Sequence, residues 1–139
     1  MNNLVDSAAR RGLPQASIKE KITDEISKSV VMNHINSFID NNVDAVLSDY
    51  TGDSVLITQD AIYKGPEEIK PFFVHFISHF PKKWSTFTLD KLVSNDYLVF
   101  ITWHAVTPTV EVPLGTDTFI IKDGKIHSQT FAGQLNFLI

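Results

Sequence analysis

The sequence predicts an α+β domain in which helices come first and pack on one face of a curved antiparallel sheet. Three observations carry this expectation. Apolar residues recur at helical spacing through Ile18, Ile22, Ile26, Val30, Val31, Ile35, Phe38 and Ile39, and again through Ile69, Phe72, Phe73, Phe76 and Phe80. After Pro81 the helical period disappears and β-branched, aromatic segments take over. Tight turns at Asn95-Asp96 and Asp123-Gly124 join those segments, which makes them antiparallel neighbours. Helices collected on one side of such a sheet make an α+β fold.

Taken in order, residues 1–14 are polar and aperiodic and read as a flexible tail, leaving 15–139 as a single domain able to bury a core unaided. A helix is expected from Pro14 and Ser17-Ile18-Lys19-Glu20, whose spacing suits a capping box, to about Asp40, with a break near Thr23-Asp24. Val43, Val46, Leu47 and Tyr50 mark one face of a short second helix, N-capped by Asn42 and ended by Gly52. Val55-Leu56-Ile57 follows as a strand. A third helix spans about 66–80, with Pro66 in a first turn that needs no N–H and Pro71 in its first or second turn or at a slight kink. Strands at 86–92, 97–107, 109–121 and 125–131 complete the chain. Pro108 and Pro113 flank Val110-Glu111-Val112, so the third of these strands should begin as an edge or a bulge.

Composition narrows the function. The net charge is −4, and no basic cluster exceeds two adjacent residues (Arg10-Arg11, Lys82-Lys83), which argues against a nucleic-acid or anionic-membrane surface. The absence of cysteine excludes disulfides and thiolate-based chemistry or metal sites. No apolar run approaches the ~18 residues of a membrane span, and the first residues carry no signal-like apolar stretch, so a cytoplasmic location is expected. No phosphate-cradling glycine loop or nucleophile elbow is present, and no cofactor is expected. Ten phenylalanines point to large aromatic walls inside.

Four stretches fall in order at compatible spacings: Val30-Val31-Met32-Asn33-His34, Asn42-Val43-Asp44-Ala45-Val46-Leu47-Ser48-Asp49-Tyr50, Tyr63-Lys64-Gly65-Pro66-Glu67-Glu68-Ile69, and Thr116-Asp117-Thr118-Phe119-Ile120-Ile121-Lys122-Asp123-Gly124-Lys125-Ile126. On them the chain resembles the nuclear transport factor 2-like superfamily, and within it the SnoaL-like polyketide cyclases and the ketosteroid isomerases. The resemblance implies a cone-shaped, cystatin-like fold whose curved antiparallel sheet wraps around N-terminal helices and encloses a pocket. It further implies a homodimer formed through the outer sheet face. The function it implies is cofactor-free general acid–base chemistry on a small hydrophobic carbonyl compound, of isomerase, polyketide cyclase or dehydratase type. A non-catalytic ligand-binding or dimerisation module of the same fold is the alternative, because this superfamily serves both. On the ketosteroid isomerase pattern, Asp117 matches the later-strand aspartic acid of the oxyanion hole. His34 stands at the helix-one tyrosine, and Thr58, with Asp60 two residues on, stands at the general base.

Each candidate has a bland reading beside the chemical one. Asp117 can share the inward face of Phe119 and Ile121, where lost solvation raises its pKa and lets it act as acid or oxyanion stabiliser; otherwise it faces solvent or caps a turn after Gly115. His34 shares a helix face with Val30 and Phe38, as a proton carrier assisting Asp117 or as a satisfied core residue. Asp60 is a base or a turn residue. Thr58, Phe38, Phe73, Trp103 and Phe119 are the expected ligand contacts. His75 and His79 share a helix face, but the buried side is the phenylalanine side, and no metal is expected. His104 lines the pocket or the outer face, His127 the outer face; Tyr50 reads as core and Tyr63 as rim. Close approach of Asp117, His34 and Asp60 around an empty cavity would favour the enzyme, and a cavity plugged by phenylalanines the module. Strand 97–107 carries large apolar groups on both faces, with Leu98, Phe100 and Val106 opposite Tyr97, Val99, Ile101 and Trp103, which supports the dimer.

Overall fold

The computed structural model describes residues 14–138, with side chains from residue 18 onward. Residues 1–13 of the expected tail lie outside the described residues, and Pro14 is already helical, so the helix starts ahead of Ser17 and the expected cap position falls within it. Helix α1 (Pro14–Ile39) runs without the expected break, and the Thr23 hydroxyl bonds the Lys19 carbonyl one turn back inside it. Its exit uses Asn41 in the left-handed region, φ 59°, while the Asn42 N–H bonds the Ser37 carbonyl. The Asn41 side chain then ties this end to the Phe80 carbonyl and the Lys82 N–H, each at 2.8 Å.

Helix α2 (Val43–Leu47) is N-capped by Asn42, whose Oδ1 accepts the Ala45 N–H at 3.0 Å. It ends at Ser48, so Gly52 does not stop it and instead lies inside strand β1 (Tyr50–Ile57). Tyr50 therefore opens the strand rather than closing the helix. A short strand β2 (Ile62–Lys64) pairs back onto β1. Helix α3 (Gly65–Ser78) follows, its start closed by the Glu68 carboxylate on the Lys64 N–H at 2.7 Å.

Strands β3 (Thr86–Asn95), β4 (Leu98–Val106), β5 (Val110–Lys122) and β6 (Lys125–Gly133) match the expected four, and β7 (Asn136–Phe137) adds a short pairing to β5. The sheet order is β2-β1-β6-β5-β4-β3. Asp123 and Gly124 both adopt positive φ in the β5–β6 turn, as a tight hairpin demands. The sheet is mostly antiparallel, and the exception is β1 against β6, which run parallel. Between the pairs Trp103–Gly115 and Ala105–Val112, β5 carries one more residue than β4. Pro113 sits in that bulge, so β5 begins bulged and not at an edge.

The apolar face of α1 is rotated from the expected one. Ser27, Val31, His34, Ile35 and Phe38 are buried, whereas Ile18, Ile22 and Ile26 are 58%, 54% and 48% exposed. Asp24 decides the rotation: its Oδ1 accepts the Ser94 hydroxyl at 2.7 Å and the Asp96 N–H at 3.1 Å in the β3–β4 turn. Asp24, Ser27 and Val31 share one face, which turns the isoleucines outward. On β4, Val99, Ile101, Trp103 and Ala105 point inward, while Leu98, His104 and Val106 are exposed on the outside. Tyr97 is exposed in the turn and does not join the inward set. No helix among the described residues is long and apolar enough to cross a membrane.

Candidate active site

Strand alternation carries Asp117 inward beside Phe119 and Ile121, and only 7% of it remains exposed. Its two oxygens are held separately: Trp103 Nε1–H donates to Oδ1 at 2.9 Å and Gln129 Nε2–H to Oδ2 at 2.9 Å. Gln129 Oε1 in turn accepts the hydroxyl of Tyr50. Trp103 reaches this position because Gly115 lies under its indole; a Cβ there would stand 2.3 Å from the ring. Burial pushes the Asp117 carboxyl above its ordinary value, opposed by the two hydrogen bonds and by His34. Burial, with the nearby Asp117 and Asp49 charges, also pushes the Tyr50 phenol well above its usual range, so Tyr50 stays a neutral donor.

His34 enters from α1, 4% exposed, with the rings of Tyr50, Phe73 and Phe119 edge-on at 5.6 to 5.7 Å between centroids. Its Nδ1 lies 3.2 Å from Asp49 Oδ2. A carboxylate partner calls for a proton on Nδ1, which leaves Nε2 free to accept a proton or, in the imidazolium, to donate one. His34 and Asp117 line the same cavity, about 40 Å³, with Gln129, Trp103 and seven phenylalanines. That volume admits two or three waters.

No protein-family model matches the sequence, and no curated protein matches it. Solved structures do. An NTF2-like protein of unknown function from Cytophaga hutchinsonii superposes with a TM-score of 0.63 at 11% identity, covering 78% of this chain and 89% of that one. The chain has the nuclear transport factor 2-like fold. A candidate ketosteroid isomerase from Kribbella flavida gives a TM-score of 0.66 at 9% identity, over 84% of this chain and 83% of that one. SalBIII, an epoxide hydrolase/cyclase-like enzyme of pyran ring formation in the polyether salinomycin, gives 0.69 at 17%, over 84% and 99%. At these identities the likeness is one of fold.

Within this fold the structure gathers some of the expected residues and separates others. Phe38, Phe73, Trp103 and Phe119 line the cavity with Asp117 and His34. Asp60 and Thr58 do not: both line an outer recess of about 240 Å³ with Tyr63, His75 and His79. Asp60 is exposed, and the Thr58 hydroxyl accepts the Asp60 and Ala61 N–H groups at 3.2 Å each, so this pair closes the β1–β2 turn. His75 and His79 face that recess too, with His79 Nδ1 2.9 Å from the Thr109 hydroxyl. His104 points to the outer sheet face and pairs with Asp90 at 2.7 Å. His127 is half-buried beside the Ser128 hydroxyl.

Three groups at the site escaped the sequence reading: Gln129, the Tyr50 hydroxyl and Asp49. Gln129 had a signal, because it alternates with Phe131 and a polar residue on an inward face asks for partners. Counting from the other end misleads. A register shift opposite Ile120 and Ile121 places Ile126 and Gln129, three apart, on the same inner side.

Proposed function

We propose that this chain is a cofactor-free enzyme that moves a proton on a compact apolar carbonyl compound, with Asp117 carrying the proton and His34 assisting. One observation carries the reading. Asp117 is an ionisable group buried among aromatic rings, facing a cavity, and hydrogen-bonded by neutral donors without an ion pair among the described residues. A core that needed only packing gains nothing from such a group, whereas proton transfer needs a carboxyl whose affinity for protons has been raised. In an isomerisation Asp117 would take the proton next to the carbonyl. The imidazolium of His34, held by Asp49, would offer Nε2–H to the developing oxyanion. Dehydration and cyclisation draw on the same transfer, and the fold neighbours described as a ketosteroid isomerase candidate and an epoxide hydrolase/cyclase-like enzyme fit this class of chemistry.

The cavity as it stands is too small for such a compound. Phe72, Phe76 and Phe131 line both the cavity and the outer recess, so turning these rings aside would join the two spaces and admit a ligand. The same small, phenylalanine-walled cavity favours a second reading, a binding or dimerisation module in which the rings are simply core. Exchange of the α-protons of a small cyclic ketone in heavy water separates the two. Asp117→Asn should slow exchange roughly a hundredfold or more relative to the parent. Equal rates for the variant and parent would favour the module.

A further inference from the structure

We propose that Tyr50 and Gln129 are positioning residues that hold Asp117 ready to accept a proton rather than to donate one. The argument is one of donors and acceptors, and it deepens the reading of Asp117 as the proton carrier. The indole of Trp103 can only donate, so it presents a proton to Oδ1 in every state. The amide of Gln129 can present either its oxygen or its nitrogen to Oδ2. Tyr50 settles which. Its hydroxyl donates to Gln129 Oε1, which leaves Nε2–H for Asp117. With a carboxylate at Asp117, each of these bonds has one donor and one acceptor.

A proton on the Oδ2 lone pair that faces Gln129 breaks the chain. It would need Gln129 to turn over and accept through Oε1, with Nε2–H now donating to the Tyr50 oxygen. The hydroxyl proton of Tyr50 would then lack an acceptor, since its hydrogen bond among the described residues is to Gln129 alone. Tyr50 and Gln129 lie on neighbouring strands β1 and β6 and are both buried, so a hydroxyl left without its acceptor there bears its desolvation cost. A proton taken from a ligand must therefore enter from the cavity side, where the carboxylate has lone pairs not engaged by Gln129. The other titratable groups facing this network are His34 from α1 and, through it, Asp49 ahead of β1; the contributions of β4 and β6 are the neutral Trp103 and Gln129.

Titration of the Asp117 carboxyl by carbon-13 NMR tests this without any substrate, with Asp117→Asn identifying the resonance. Tyr50→Phe frees Gln129 to turn, so the midpoint of Asp117 should move upward even though Tyr50 does not touch it. Gln129→Met, which removes the amide donor directly, should also raise it. The double variant should match Gln129→Met alone, because Tyr50 acts only through the amide. A midpoint that is unchanged or lowered in Tyr50→Phe overturns the proposal, as does a Tyr50 effect that persists in the Gln129→Met background. If Tyr50→Phe does not fold, Gln129→Met alone decides: no upward shift sinks the idea. The expected titration in a protein with no exchange activity would leave this wiring standing and remove only the enzyme reading.

Discussion

Replacing Asp117 by Asn changes one buried charge and almost no volume, and its effect on stability can be worked from the contacts. Asn keeps an acceptor for the Trp103 N–H. Its amide nitrogen, however, meets Gln129 Nε2 donor to donor unless Gln129 turns, which strips the Tyr50 hydroxyl of its acceptor. That loss is about 1 kcal/mol, and losing charge assistance in the bonds to Asp117 costs about 1 kcal/mol for each. Against this stands relief from desolvating a carboxylate, several kcal/mol. Desolvation is the largest influence on Asp117 and its pKa is raised, so relief should win narrowly. At neutral pH the variant should be as stable as the parent or up to about 2 kcal/mol more so. The pH dependence fixes the sign. Because the folded pKa lies above the unfolded value of 3.8, the native state holds this proton more tightly, and ionisation penalises the fold. The penalty is full above the folded midpoint and gone below the unfolded one. Urea unfolding of both proteins from acidic to neutral pH should show the advantage of Asn growing as pH rises through this window, then levelling. A difference that shrinks with rising pH, or does not vary, would mean that the carboxylate is stabilised where it lies and would refute the argument.

Three further outcomes follow from the same geometry. Gly115→Ala should destabilise by about 1 to 3 kcal/mol, since a methyl 2.3 Å from the Trp103 ring must displace it, and the indole N–H resonance should leave its hydrogen-bonded position. Asp60→Asn should leave both exchange and stability within about 0.5 kcal/mol of the parent, because Asp60 is exposed in the outer recess; a large loss of exchange would return it to the catalytic group. Leu98, Val106 and Ile120 are exposed on the outer sheet face, and sedimentation equilibrium at roughly tens of micromolar should show a dimer that Leu98→Glu weakens. A parent that sediments as a monomer would count against that interface.

What the sequence made legible is what local chemistry decides. Hairpin strands joined by Asp123-Gly124 could be read because the turn residues must adopt positive φ. The inward pointing of Asp117 was one of two positions its alternation with Phe119 and Ile121 allowed, and its burial in the sheet selects it. Contacts between distant parts of the chain were not readable. The parallel pairing of β1 with β6 joins segments separated by most of the sheet. The rotation of α1 depends on Asp24 finding Ser94 and Asp96 some seventy residues away. Gln129 was hidden because a register shift breaks the two-residue rhythm of β6, and Asp49 because the turn out of α2 aims it at His34. The size of the cavity depends on how seven phenylalanines settle against one another, which no periodicity records.

The central claim is that Asp117, as a carboxylate, takes the proton from a ligand in the cavity. The most direct measurement follows ketone proton exchange and the carbon-13 titration of Asp117 on the same sample across pH. The account predicts a rate whose rise with pH has a midpoint that coincides with that of Asp117, and an Asp117→Asn profile lacking that rise. A rate that follows a different midpoint, or is unchanged in the variant, would contradict it.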